Sequence, residues 1–169
     1  LYNLANSKDF SNVDVIDLFK EIIDNTGVNT RQMNILIRLG YFKQFGDWIE
    51  LAEIFQCMTD SKKPDTEKYP EFKDKEVIIE KKNKKGEIRN ELKIVKKPLK
   101  YSSTLKEETK LQRLQNIREY AEAVKLNPPT KPSVYNQIIF EKDNLGYSTT
   151  TYPNLPDNVV IVMDINTKY

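Results

Sequence analysis

The stretch "NTGVNTRQMN", residues 25–34, sets a short polar turn between two apolar helical patterns. Gly27, Val28, Asn29, Thr30 and Arg31 stand at the junction. Backbone N–H groups at the start of a helix have no acceptor in a preceding turn, and the helix dipole makes their surroundings positive. Such groups form a seat for a phosphate oxygen. Thr26, Asn29, Thr30 and Arg31 sit where side chains would add hydrogen bonds or charge. A grip of this kind reads backbone geometry and ignores base sequence. The same pattern also fits an ordinary pair of helices joined by a short loop, which is the commoner arrangement. The turn has one glycine where strong phosphate-binding hairpins usually have two, and Val28 and Asn29 stand where the second would be.

A second group is "KKNKKGEIR", from Lys81 to Arg89. Lys81, Lys82, Lys84 and Lys85 cluster at the tip of an expected hairpin, and a row of cations can follow a phosphate backbone. Glu80, Glu87 and Glu91 dilute the cluster. Lysine-rich hairpins also discourage edge pairing, so the cluster has a second reading. Arg113 and Arg118 lie among glutamates on a later helix and read as a solvated face.

Other chemistry is excluded by what the chain lacks. There is no histidine and a single cysteine, Cys57. An intrachain disulfide, histidine-based zinc sites and serine–histidine or cysteine–histidine catalysis are all ruled out, and a reducing cytoplasm is the natural home. Two-metal catalysis needs carboxylates converging on Mg²⁺, and no D-x-D pair appears. Asp14, Asp17 and Asp24 read as capping and solvating residues, and Asp164 stands alone. No glycine-rich phosphate loop is present. No catalytic residue and no metal ligand is expected. No apolar run reaches the length of a membrane span, and the first residues do not read as a signal peptide. Lys and Arg number 27 against 25 Asp and Glu, a net charge of +2. Contact with a polyanion therefore depends on where the cations cluster and not on their total.

The elements that position these groups follow from periodicity. Val15, Ile16, Leu18, Phe19, Ile22 and Ile23 predict a helix over 13–24, with Asn12 as N-cap and Phe10 stapling its start. Gly27 is expected to supply a left-handed residue that stops it. Asn29 and Gln32 have the spacing of a capping box, and Met33, Leu36 and Ile37 form the stripe of a second helix that Gly40 ends. A third helix is expected over 47–59, with Trp48, Leu51, Ala52, Ile54 and Phe55 inward. Residues 60–75 read as a linker or surface loop. A hairpin follows, with Ile88, Leu92 and Ile94 on one face and "NKKG" as its turn. Residues 103–126 and 134–146 read as helices, and 158–165 as a final strand. The expected fold is mainly α (α+β), a helix-hairpin-helix bundle with a small β-hairpin and a truncated C-terminal strand. Its expected segments are 1–59, 60–100, 101–147 and 148–169. The opening "LYNL" and the closing "VVIVMDINTKY" both look cut, so the chain reads as a fragment of a longer protein.

Two separated stretches carry a resemblance. "KDFSNVDVIDLFKEI" with "GVNTRQMNILIRLGYFKQFG" resembles the end of the helix-hairpin-helix region in the alpha subunit of bacterial DNA polymerase III, matching at Phe10, Leu18, Phe19, Val28, Asn29, Arg31, Leu36, Ile37, Gly40, Phe42 and Gly46. "FEKDNLGYSTTTYP" resembles the signature before that family's OB-fold domain, at Glu141, Lys142, Leu145, Gly146 and Tyr147. Lys43 stands where the family usually has an acidic residue, and Tyr152-Pro153 replaces its histidine–proline pair. The resemblance covers about half the chain and leaves 60–130 without a counterpart. It implies a non-catalytic piece of a replicative DNA polymerase that grips double-stranded DNA, located in the cytoplasm with the nucleoid. Polymerisation, with its Mg²⁺ ions, would belong to palm carboxylates far upstream, so no cofactor is expected in this piece. The remainder of the polymerase chain and a sliding clamp are further partners it implies. Two rival readings stay open: a structural or protein-contact module that never touches DNA, and a free-standing DNA-binding domain.

Overall fold

A computed structural model of the chain describes residues 13–153. The expected final strand, Phe10 and Asn12 lie outside them. Within them the architecture is α+β, five α-helices and one two-stranded antiparallel hairpin. They fall into two compact units that divide between Pro129 and Thr130.

The first unit is built on a helical core. Helix α1, Val15–Asn25, is capped by Asp14, whose side chain accepts from the Ile16 N–H, and it buries Val15, Ile16, Leu18, Phe19 and Ile22. Helix α2, Thr30–Arg38, buries Met33 and Ile37. It ends in a Schellman motif: Gly40, at φ +79°, donates to the Ile37 carbonyl, and Tyr41 donates to the Leu36 carbonyl. Helix α3, Trp48–Thr59, starts at the Asp47 cap and buries Leu51, Ile54, Phe55, Cys57 and Met58. Phe19 sits at the centre, edge-on to Phe42 and Phe55 with ring centroids 5.4 and 5.5 Å away. Helices α1 and α2 rest on α3 more than on each other, so they are not a side-by-side pair.

Gly27 does not have the left-handed conformation expected of it. Among the glycines with positive φ are Gly40, Gly46, Gly86 and Gly146, and Gly27 is not one of them. Helix α1 is closed instead by Thr26, which is extended at φ −124°. Its Oγ1 donates to the Ile22 carbonyl at 2.7 Å and accepts from the Val28 N–H at 3.3 Å. A side chain does the work that a left-handed glycine does elsewhere.

The segment 60–74 is more than a surface linker. Tyr69 is 2% exposed, its hydroxyl donates to the Asn127 carbonyl, and both it and Phe72 stack edge-on to Tyr120. The hairpin pairs β1, Lys75–Lys82, with β2, Ile88–Val95, in the register Ile78 opposite Leu92 and Lys82 opposite Ile88. Asn83 organises the turn, its Oδ1 accepting from the N–H groups of Lys85 and Glu87. Leu99 and Tyr101 then return to the core. Helix α4, Glu107–Leu126, begins four residues later than the periodicity predicts, because Ser102 and Leu105 are held in a separate turn. It buries Leu114, Ile117, Tyr120, Ala121 and Val124. Residues of three expected segments thus share one core.

The second unit contains helix α5, Val134–Leu145, capped by Ser133 and terminated by Gly146 at φ +82°. Glu141 is buried there and ties the following loop back to the helix. Its carboxylate accepts from the hydroxyls of Ser148, Thr149 and Thr150, from two backbone N–H groups and from Gln137.

Candidate nucleic-acid interface

The corner between α1 and α2 faces water: Gly27, Asn29, Thr30 and Arg31 are exposed and Thr26 and Val28 are half-buried. The capping box predicted from sequence is formed. Gln32 N–H donates to Asn29 Oδ1 at 3.0 Å, and Asn29 N–H donates to Gln32 Oε1 at 2.9 Å. These bonds fix where the helix begins and also consume donors. Val28 N–H is taken by Thr26 and Asn29 N–H by Gln32. The N–H groups of Gly27, Thr30 and Arg31 keep no acceptor among the described residues. Two of those three open the helix, where its dipole is positive, and Arg31 adds a full charge beside them. An open groove of about 410 Å³ runs along the corner, lined by Thr26, Gly27, Val28, Gln32, Ile35 and Leu36.

Lys81, Lys82, Lys84 and Lys85 are exposed at the hairpin tip, on an element that makes no substantial packing contact with α1 or α2. Corner and tip are therefore two places and not one cluster. Lys81 forms an ion pair with Glu91 across the strands, which holds the Glu91 carboxyl below its ordinary range, through the hydrogen bond first and the lysine charge second. The tip lysines do not share one face. Residues paired across a ladder point to the same side, and side chains alternate along each strand. Lys81 and Arg89 lie on one face, while Lys82 and Ile88 lie on the other.

Neither arginine of α4 is simply solvated. Arg118 pairs with Asp17 of α1 and with its cap Asp14, and Arg113 Nη1 donates to the carbonyls of Pro98 and Lys100 at 2.7 and 3.1 Å. These are structural clamps. Cys57 is buried and its thiol is pushed far up, by burial first and by Glu53 second, so it is no nucleophile. Among the described residues no group of His, Cys, Asp or Glu is placed to hold a metal ion, and no helix is long and apolar enough to cross a membrane. No protein-family model, characterised protein or solved structure matches the chain.

Proposed function

We propose that this chain holds duplex DNA by its phosphates, as a non-catalytic part of a polymerase III-type alpha subunit whose chemistry lies elsewhere. The observation that carries the reading is the exposed start of α2, with open N–H groups at Gly27, Thr30 and Arg31 and an orientation fixed by the Asn29–Gln32 box. The resemblance at Val28, Asn29, Arg31, Leu36, Ile37 and Gly40 supports it, because the residues that match are those that build and anchor this corner. The two helices pack on α3 more than on each other, so the reading rests on the exposed corner itself and not on a paired-helix motif. Arg31 supplies charge, and the hairpin-tip lysines 81, 84 and 85 add further contacts, while Lys82 lies on the other face of the ribbon.

The test is a salt titration of fluorescently labelled duplex. Phosphate contacts predict a linear fall of log affinity with log salt, with little difference between unrelated sequences. Three contacts correspond to a loss of about forty-fold between 50 and 200 mM salt. Undetectable binding at 50 mM would overturn the reading.

A second reading, a protein-contact module of the replisome, is favoured by one observation. Ile78, Ile88, Leu92 and Ile94 form an aliphatic hairpin face and are each more than half exposed. That module would bind no duplex at any salt concentration.

A further inference from the structure

The hairpin concentrates charge that the whole chain does not show. Residues 75–95 carry seven basic and four acidic side chains, a net +3, while the complete chain is only +2. The remainder is therefore net negative, and the ribbon is the cationic part of the molecule.

The register sorts this charge by face. One face carries Lys75, Val77, Ile79 and Lys81 opposite Val95, Lys93, Glu91 and Arg89. The other carries Glu76, Ile78, Glu80 and Lys82 opposite Ile94, Leu92, Asn90 and Ile88. The first has four cations and one anion. The second is aliphatic and has two anions to one cation, so it cannot attract a polyanion. At its base the cationic face turns towards the body of the unit, where Val77 and Val95 line a cleft of about 340 Å³ with Phe72 and Leu99. Glu71, Asp74 and Glu119 line that cleft together with Lys63, Lys73, Lys75 and Lys97, so its charge is mixed, and the clearer row of cations lies beyond it. There Arg89 and Lys81 continue into Lys84 and Lys85 at the turn, and Lys93, opposite Val77, stands where that row meets the base; all are exposed.

Dimensions agree with a duplex groove. A strand of eight residues spans roughly 27 Å, close to the rise of eight base pairs, and a two-stranded ribbon fits the major groove.

We infer that the β1–β2 ribbon is a one-sided arm for duplex DNA, in which Arg89 and Lys93, with Lys81, Lys84 and Lys85, contact phosphates while the aliphatic face is turned away. It rests on the proposed function only for the identity of the polyanion. Lys82, which looks equivalent to its neighbours in sequence, has no part in it because it lies on the aliphatic face. A planar guanidinium at Arg89 can take two phosphate oxygens, which gives it the largest share.

The experiment compares single charge reversals in the full chain, using anisotropy of a labelled 20-base-pair duplex. Arg89→Glu is expected to weaken binding about tenfold at 100 mM salt and to lower the salt slope by about one unit. Lys82→Glu, the same change of charge on the other face, is expected to change affinity less than twofold. Equal losses from the two variants would overturn the inference, since net charge alone would then explain them. So would an unchanged Arg89→Glu. Arg31→Glu, measured in parallel, separates this inference from the corner. Loss in Arg31→Glu with no loss in Arg89→Glu leaves the corner standing and removes the arm. Loss in Arg89→Glu alone keeps the arm and removes the corner. All three variants alter exposed side chains, and unchanged thermal melts will show that folding is intact.

Discussion

Arg118 of α4 holds Asp17 of α1 with one nitrogen: its Nη2 lies 2.9 and 2.8 Å from the two carboxylate oxygens. Its Nε also donates to Asp14 at 3.2 Å, and Asp14 is the residue that caps α1. One side chain therefore couples the orientation of α4 to the start of α1, across a hundred residues of sequence. All three side chains are nearly half exposed, so the coupling is screened by solvent and its net worth is modest. Arg118→Ala is expected to cost about 1 kcal/mol in urea denaturation at low salt. In 1 M NaCl the difference should shrink to a few tenths, because screening removes most of an exposed ion pair. A loss unchanged by salt would mean that packing of the arginine stem, and not charge, is responsible.

Glu141 gives a pH-dependent prediction. Burial works to raise its pKa, but hydrogen bonds from Thr150, Gln137 and Ser148 outweigh burial and hold the carboxyl at about 2. An unfolded glutamate titrates near 4.3, so the folded-state value is depressed. Its contribution is fully present above about pH 5 and is lost as the pH falls towards 2. Glu141→Gln should remove stability on the order of 2 kcal/mol at pH 7 and make the second unit much less sensitive to acid. The check is a carbon-13 NMR titration of the Glu141 carboxyl in the wild type. A midpoint near 4.3 would show that the hydroxyls around it contribute no net stabilisation.

Much of this arrangement was legible in the sequence. The Asn29–Gln32 box, the stripes of α1 to α3, Gly40 as the end of α2 and Gly86 in the hairpin turn all rest on local rules, and the structure follows them. What was not legible depends on distant partners. Tyr69 and Tyr101 sit among polar residues, and only Tyr120, Asp24 and the Met58 carbonyl explain their burial. The role of Arg118 depends on Asp17, a contact no periodicity reveals. Gly27 was misread for a local reason: Thr26 next to it closes the helix with its hydroxyl. The hairpin's alternating pattern normally signals a buried face, yet its aliphatic side is exposed because only the base of the opposite side meets the body of the unit. At the candidate site, residue types located the corner, but which N–H groups remain open could be learned only from the hydrogen bonds.

Tyr120 tests the interior polar contact. Its ring is buried and its hydroxyl donates to Glu53 Oε1 at 2.7 Å. Burial first, and then the bond to Glu53 and its charge, push the phenol well above its usual range. Tyr120→Phe keeps the edge-on contacts with Tyr69 and Phe72 but leaves the half-buried Glu53 carboxylate without this donor. The expected loss is about 1–2 kcal/mol by urea denaturation. For a phenol whose folded pKa is raised, the stabilisation is present below about pH 10 and lost above it. The difference between wild type and variant should therefore stay constant from pH 6 to 9 and shrink in stronger alkali. A variant as stable as the wild type would show that the bond is balanced by the cost of desolvating Glu53.

Two glycines of the first unit invite opposite expectations. At Gly27 a Cβ would meet nothing within 4 Å, and φ is not positive, so alanine fits without strain. Replacing it removes freedom from the unfolded chain and should leave stability unchanged or raise it by about 0.4–1 kcal/mol. At Gly40 the space is equally open, but φ is +79° and the residue is the hinge of the Schellman motif that ends α2. Gly40→Ala places a side chain in the left-handed region and should cost about 1 kcal/mol. The pair can be read from thermal melts of the two single variants. If Gly27→Ala proved the more damaging, Thr26 could not be what closes α1, and the corner would depend on a glycine after all.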